Sequence, residues 1–200
     1  CQILAAAVVV YSGVRIEHIA NPLSNWVGPP YIILNYWVSC AVTMFWIVGI
    51  CNALNLIDGL DGLAVGVSSI ASTAMLALTI LSQNLNASIL IAAVAGACLG
   101  FLPYNFNPAK IFMGDTGALF LGYILACVSI QGMLKMSAVI TFAVPILILG
   151  LPIFATAFAI VRRLLTGRSP MSPDRGHLHH RLLDMGFSQR RVVAILYTLT

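Results

Sequence analysis

Of 200 residues, 60% are hydrophobic and only 8% are charged, against about 25% charged in an ordinary soluble domain. Mean hydropathy is +0.98, which excludes a soluble globular protein. The net charge of +4 comes from ten basic and six acidic residues. Seven of the ten bases fall within 162–191, so the excess belongs to one loop and implies no nucleic-acid partner.

In chain order, the apolar run 1–14 reads as part of a membrane helix, because it lacks the basic leader and small-residue cleavage site of a signal peptide. Full spans are predicted at 36–53, 63–81, 87–103, 117–134 and 137–161, and a last one begins near 191. The polar turn Ser82-Gln83-Asn84-Leu85-Asn86 divides the long stretch between Asp61 and Lys110 into two of these. Pro145 and Pro152 should kink the 137–161 span or mark a break in it. The expected fold class is all-α: a polytopic transmembrane helical bundle of about seven spans, two of them partial. Residues 1–200 read as a single integral membrane domain in which 162–190 is a basic, histidine-containing loop. Both ends lie inside apolar runs, so truncation is expected at the N-terminus and at the C-terminus. Five cysteines, scattered singly without C-x-x-C, read as buried free thiols.

With these spans, loops 54–62, 104–116 and 162–190 share one side of the membrane. That side carries Lys110, Arg162, Arg163, Arg168, Arg175, Arg181, Arg190 and Arg191, whereas the other carries only Arg15 and Lys135. The positive-inside rule makes the first side cytoplasmic. Every Asp of the chain belongs to it.

Three polar clusters lie there. In Asn52-Ala-Leu-Asn55-Leu-Ile-Asp58-Gly-Leu-Asp61-Gly62, a step of three aligns Asn52, Asn55, Asp58 and Asp61 along a helix loosening toward 3₁₀, and the glycines let backbone approach a ligand. Charges near a bilayer are costly enough, up to about 3 kcal/mol at its centre, that this grouping points to function. In the second cluster, Phe101 to Gly117, Asp115 stands between two glycines at a helix start. A carboxylate there can reach a metal while open N–H groups meet phosphate, and Lys110 supplies a cation nearby. The third, Asp174-Arg175-Gly176-His177-Leu-His179-His180-Arg181, offers donors to an anion, phosphate above all. Together they describe a Mg²⁺ and diphosphate site for phosphoryl transfer at a cytoplasmic membrane face.

The clusters N-A-x-N-x-x-D-G-x-D-G-L at 52–63, F-x-x-x-N-x-x-P-A-x-x-F-M-G-D-x-G at 101–117 and H-x-H-H at 177–180 resemble, in order and in detail, the polyprenyl-phosphate N-acetylhexosamine-1-phosphate transferases, of glycosyltransferase family 4 type. The resemblance implies a fold of about ten membrane helices, of which this chain holds roughly the last two thirds. It implies Asp115 as a Mg²⁺ ligand, with Mn²⁺ as a substitute. Asn52, Asn55, Asp58, Asp61 and Asn105 are implied to line the nucleotide-sugar pocket, with Phe112 against uracil and His177, His179 and His180 binding phosphate near the reacting centre. On this reading Asp58, Asp61, Asp115 and the three histidines are catalytic, and Lys110, Arg175 and Arg181 join the binding set. The family's adjacent Asp pair has no counterpart in these 200 residues, and by order the resemblance implies that it should lie upstream of Cys1.

His-Leu-His-His-Arg looks like the branch that takes UDP-N-acetylglucosamine, as in teichoic-acid initiation, over the branch that takes UDP-N-acetylmuramoyl-pentapeptide. The activity implied is transfer of GlcNAc-1-phosphate from UDP-GlcNAc to undecaprenyl phosphate, giving undecaprenyl-diphosphate-GlcNAc and UMP. Direct attack of the lipid phosphate is favoured, because that phosphate is largely dianionic at neutral pH, with a covalent aspartyl-phosphate route as the alternative. The implied location is the bacterial plasma membrane, multi-pass, with the active site on the cytoplasmic face; the partners are the bilayer and both substrates, with a homodimer left open. Rival classes are a cation- or proton-coupled transporter using Asp58, Asp61 and Asp115, and a non-catalytic membrane scaffold.

Overall fold

A computed structural model describes residues 1–21, 28–29, 31–133, 146–165 and 182–200. The chain folds into a bundle of α-helices: α1 (Gln2–Tyr11), α2 (Tyr36–Ile57), α3 (Leu63–Leu81), α4 (Leu85–Asn105), α5 (Gly114–Met133), α6 (Gly150–Leu165) and α7 (Gln189–Thr198). Four of them, α2 to α5, are long and apolar enough to cross a membrane. The class is therefore all-α and polytopic, as expected.

Local chemistry starts the helices where polar residues interrupt the apolar runs. Asn35 caps α2 by accepting the Trp37 N–H at 3.1 Å, and Asn84 caps α4 by accepting the Ala87 N–H at 3.4 Å. Gly62, at φ 81°, turns the chain from α2 into α3 in a conformation that an L side chain resists. The core gathers Ile47, Ile50 and Leu54 of α2, Leu63, Val65 and Val67 of α3, Ile91 of α4, and Leu125, Val128 and Ile130 of α5. α2 and α5 meet closely at Gly122, where an added Cβ would lie 2.7 Å from the Cys51 Cα.

Two expectations are corrected and one is borne out. α2 stays α-helical to Ile57 and takes a 3₁₀-type bond only at its cap, Asp58 N–H to the Asn55 carbonyl at 3.3 Å, so within the helix a step of three precesses by about 60° and the expected polar stripe fans out. Pro152 marks a helix break, as expected: residues 146–148 are helical, Leu149 is a turn and α6 restarts at Gly150, so Pro152 falls in the first turn, where the missing N–H has no intrahelical partner to lose. α6 then continues past 161 through Arg162 and Arg163 to Leu165. Pro145 and the first part of the expected 137–161 span lie outside the described residues.

A short antiparallel hairpin, β1 (His18–Ala20) with β2 (Tyr31–Ile33), pairs His18 with Ile33 and Ala20 with Tyr31. It leans on the first half of α2, where the Thr43 hydroxyl accepts the Ile16 N–H at 2.9 Å and the Ser39 hydroxyl donates to the Ile16 carbonyl at 2.8 Å. Arg15 pairs with Glu17 at 3.1 Å and lies 4.6 Å from the centre of the Tyr36 ring. At the opposite end of α2, Gln2 and Asn52 exchange hydrogen bonds at 3.0 and 3.4 Å. α1 therefore runs antiparallel to α2.

Candidate functional site

The turn after α2, the segment 106–113 between α4 and α5, and the first turn of α7 converge at one end of the bundle. Asn55, one turn before the end of α2, donates from Nδ2 to Asp115 Oδ1 at 3.2 Å. Asp115 is exposed in the first turn of α5, and Gly114 at φ 68° sets the start of that helix. Asp58 caps the C-terminus of α2. Burial, and then the negative charge of Asp115, push the Asp58 pKa up to about 6. Two carboxylates and an amide from separate helices thus face one another.

Asp61 has partners of its own. Its Oδ2 accepts the Asn107 Nδ2 at 3.0 Å and the Ala109 N–H at 3.1 Å, which ties the turn after α2 to the segment after α4. Asn105 is buried at 3% exposure and makes a second tie: Oδ1 accepts the Gly62 N–H at 3.1 Å and Nδ2 donates to the Ile111 carbonyl at 3.0 Å. Asn52 also bonds within the protein, to Gln2 and to the Val48 carbonyl at 2.7 Å. Lys110 is exposed, and Phe112 presents its ring outward at 74% exposure.

The sequence-predicted residues therefore divide. Asn55, Asp58 and Asp115 come together; Asp61 and Asn105 anchor the same end through loop contacts; Asn52 turns toward α1; Lys110 and Phe112 stand on the exposed rim. His177, His179, His180, Arg175 and Arg181 lie outside the described residues. Sequence reasoning missed Asn107, Gln189, Arg190 and Tyr197. Asn107 Nδ2 donates to Gln189 Oε1 at 2.8 Å, Arg190 Nε donates to the Asn107 carbonyl at 2.9 Å, and the Tyr197 hydroxyl donates to the Gly62 carbonyl. Asn107 lies inside a quoted motif, but nothing in the sequence distinguished the three residues of α7.

Among the described residues, no three His, Cys, Asp or Glu side chains gather as a metal cage. The donor set present, two carboxylates beside an amide, suits a hard cation that takes one or two carboxylates and completes its shell with phosphate and water, as Mg²⁺ does. Among the described residues, the four protein ligands that a structural zinc site needs are not brought together.

A helical bundle with membrane-length spans and a carboxylate-amide cluster at one end defines a polytopic membrane protein with a polar site at the bilayer boundary. By comparison with known proteins, the chain belongs to glycosyl transferase family 4, whose model matches residues 1–133. It is 47% identical over 163 residues to a "Probable undecaprenyl-phosphate N-acetylglucosaminyl 1-phosphate transferase" of Bacillus subtilis (strain 168), covering 82% of this chain and 46% of that one. It is 39% identical over 215 residues to a "Decaprenyl-phosphate N-acetylglucosaminephosphotransferase" of Mycolicibacterium smegmatis, covering 98% and 52%. A "Phospho-N-acetylmuramoyl-pentapeptide-transferase" of Desulforudis audaxviator is 38% identical over 173 residues, covering 83% and 48%. The chain thus spans about half the length of the curated relatives it matches.

Proposed function

We propose that the protein of which this chain is part transfers GlcNAc-1-phosphate from UDP-GlcNAc to undecaprenyl phosphate, releasing UMP. The observation that carries the proposal is the meeting of Asp115 with Asn55 at 3.2 Å and with Asp58, whose carboxyl feels the Asp115 charge. The resemblance of these motifs to N-acetylhexosamine-1-phosphate transferases and the name of the 47% identical relative support the choice of sugar over the muramoyl-pentapeptide branch.

In the proposed reaction an oxygen of the lipid phosphate attacks the β-phosphorus of UDP-GlcNAc. The new O–P bond forms as the β-phosphorus to bridging-oxygen bond breaks, and UMP leaves with that electron pair. Asp115 and Asp58 would hold Mg²⁺, which when bound neutralises diphosphate charge. Asn55 fixes the rotamer of Asp115, so the carboxylate is already aimed and little ordering remains to be done at the moment of reaction. Asp61 and Asn105 act one step back: by holding the 106–113 segment they set where Phe112 and Lys110 stand for the nucleotide. His177, His179 and His180, with Arg175 and Arg181, supply donors for the transferred phosphate. Because this end carries Lys110 and Arg190, it faces the cytoplasm and the nucleotide sugar.

The test uses the full-length protein in bilayer discs, with UDP-GlcNAc, undecaprenyl phosphate and Mg²⁺. Lipid-linked GlcNAc and UMP should form in equal amounts, and chelation should stop both. Asp115→Asn should lower turnover at least about a hundredfold with helical content unchanged. Turnover of UDP-MurNAc-pentapeptide alone, or an Asp115→Asn variant as fast as wild type at limiting Mg²⁺, would refute the proposal.

A further inference from the structure

Three stretches distant in sequence meet at a single side-chain nitrogen. Asn107 Nδ2 carries two hydrogens; one is donated to Asp61 Oδ2 at 3.0 Å and the other to Gln189 Oε1 at 2.8 Å. Asp61 Oδ2 also accepts the Ala109 N–H at 3.1 Å, so the turn after α2, the 106–113 segment and α7 share one connected network. α7 holds on at two further points, Arg190 Nε on the Asn107 carbonyl at 2.9 Å and the Tyr197 hydroxyl on the Gly62 carbonyl. Gly66 makes room for the second, since a Cβ there would fall inside the Tyr197 phenol. The network continues inward through the Gly62 N–H to Asn105 and from Asn105 to the Ile111 carbonyl, the residue before Phe112.

We propose that Asn107 and Gln189 are positioning residues: by locking α7 onto Asp61 they set the 106–113 segment, and with it the nucleotide side of the site. This rests on the function proposed above. The chemistry required is specific. A primary amide is needed at 107, because two acceptors face one nitrogen and a carboxylate there would repel Asp61. At 189 only an acceptor is needed. Glu at 189 therefore keeps the acceptor, at the cost of a second charge beside Asp61 on the same nitrogen, while Leu preserves shape and removes the acceptor. A purely packing role would rank these two substitutions the other way.

In the full-length protein with saturating Mg²⁺ and undecaprenyl phosphate, Gln189→Leu should raise KM for UDP-GlcNAc about fivefold, the size one lost hydrogen bond gives, with kcat within about twofold. Gln189→Glu, which keeps the acceptor beside Asp61, should fall between wild type and Gln189→Leu. Asn107→Ala should raise KM at least as much as Gln189→Leu, and the double variant should be no worse than Asn107→Ala alone, because both remove the same coupling. Amide exchange at Ala109, whose acceptor is Asp61, should quicken more in Gln189→Leu than in Gln189→Glu. A wild-type KM in Gln189→Leu, equal defects in the Leu and Glu variants, additive effects in the double variant, or unchanged Ala109 exchange in Gln189→Leu would each overturn the proposal. If the wild-type protein does not turn over UDP-GlcNAc, the function reading fails; the exchange pattern still decides the positioning role.

Discussion

A carboxylate half-buried beside another carboxylate opposes folding until a cation joins it. Asp58 is in that position, its pKa raised from 3.8 to about 6 by burial and by Asp115. Between about pH 4 and 6 the folded protein keeps a proton that the unfolded chain has released, so stability falls as pH rises through that window and stays reduced above it. Asp58→Asn removes this penalty. With chelator present, the variant should therefore unfold at higher temperature than wild type above about pH 7, by an amount on the order of 1 kcal/mol after allowing for solvent screening. The difference should close below about pH 4. Added Mg²⁺ should stabilise wild type more than the variant, which keeps only the Asp115 carboxylate; calorimetry in detergent measures both, and a variant no more stable at neutral pH would refute the repulsion. The acids themselves were legible in the sequence, since so few charges in so apolar a chain must be there for a reason. The amides were less so. Asn52 shares the motif of Asn55 and Asn105 lies in the next one, yet they bond to Gln2 and to loop backbone, because the partner of an amide is decided by packing between helices far apart in sequence.

The elements divide along the same line. α2 to α5 were legible because each is an uncharged run bounded by polar turn or cap residues, and hydropathy alone sets their extent to within a few residues. Which faces pair was not legible, since helices apolar on every side carry no periodicity that separates a lipid face from a bundle face. The hairpin was missed altogether. Its strands are three residues each, too short for an alternating pattern, and its attachment comes from α2. Ile16 is 3% and Thr43 0% exposed, so the Ile16 N–H depends on the Thr43 hydroxyl. Thr43→Val keeps the shape and orphans that donor, which should cost about 1–3 kcal/mol and speed amide exchange at Ile16. Thr43→Ser keeps the hydroxyl and should restore slow exchange. Equal exchange in the Val and Ser variants would show that the hairpin is held by packing alone.

At the scale of the whole molecule, the hydrogen bonds assign every described loop to one of two ends. Asn55 with Asp115, Asn107 with Gln189, and Gln2 with Asn52 mark one end; Asn84 with the Gln131 carbonyl at 3.4 Å, and Ile16 with Thr43, mark the other. Lys110 and Arg190 belong to the first end and Arg15 to the second, and this charge bias supports the proposal that the acid cluster faces the cytoplasm. A nucleotide sugar made in the cytoplasm can be used only from that side. In a full-length protein with its native cysteines replaced, Gln83→Cys should react with a membrane-impermeant thiol reagent added to intact cells. Lys110→Cys should react only after the membrane is opened. The reverse pattern would put Asp58 and Asp115 on the outer face, where no nucleotide sugar reaches them, and would remove the reason for reading the cluster as a transferase site while leaving the helical bundle itself intact.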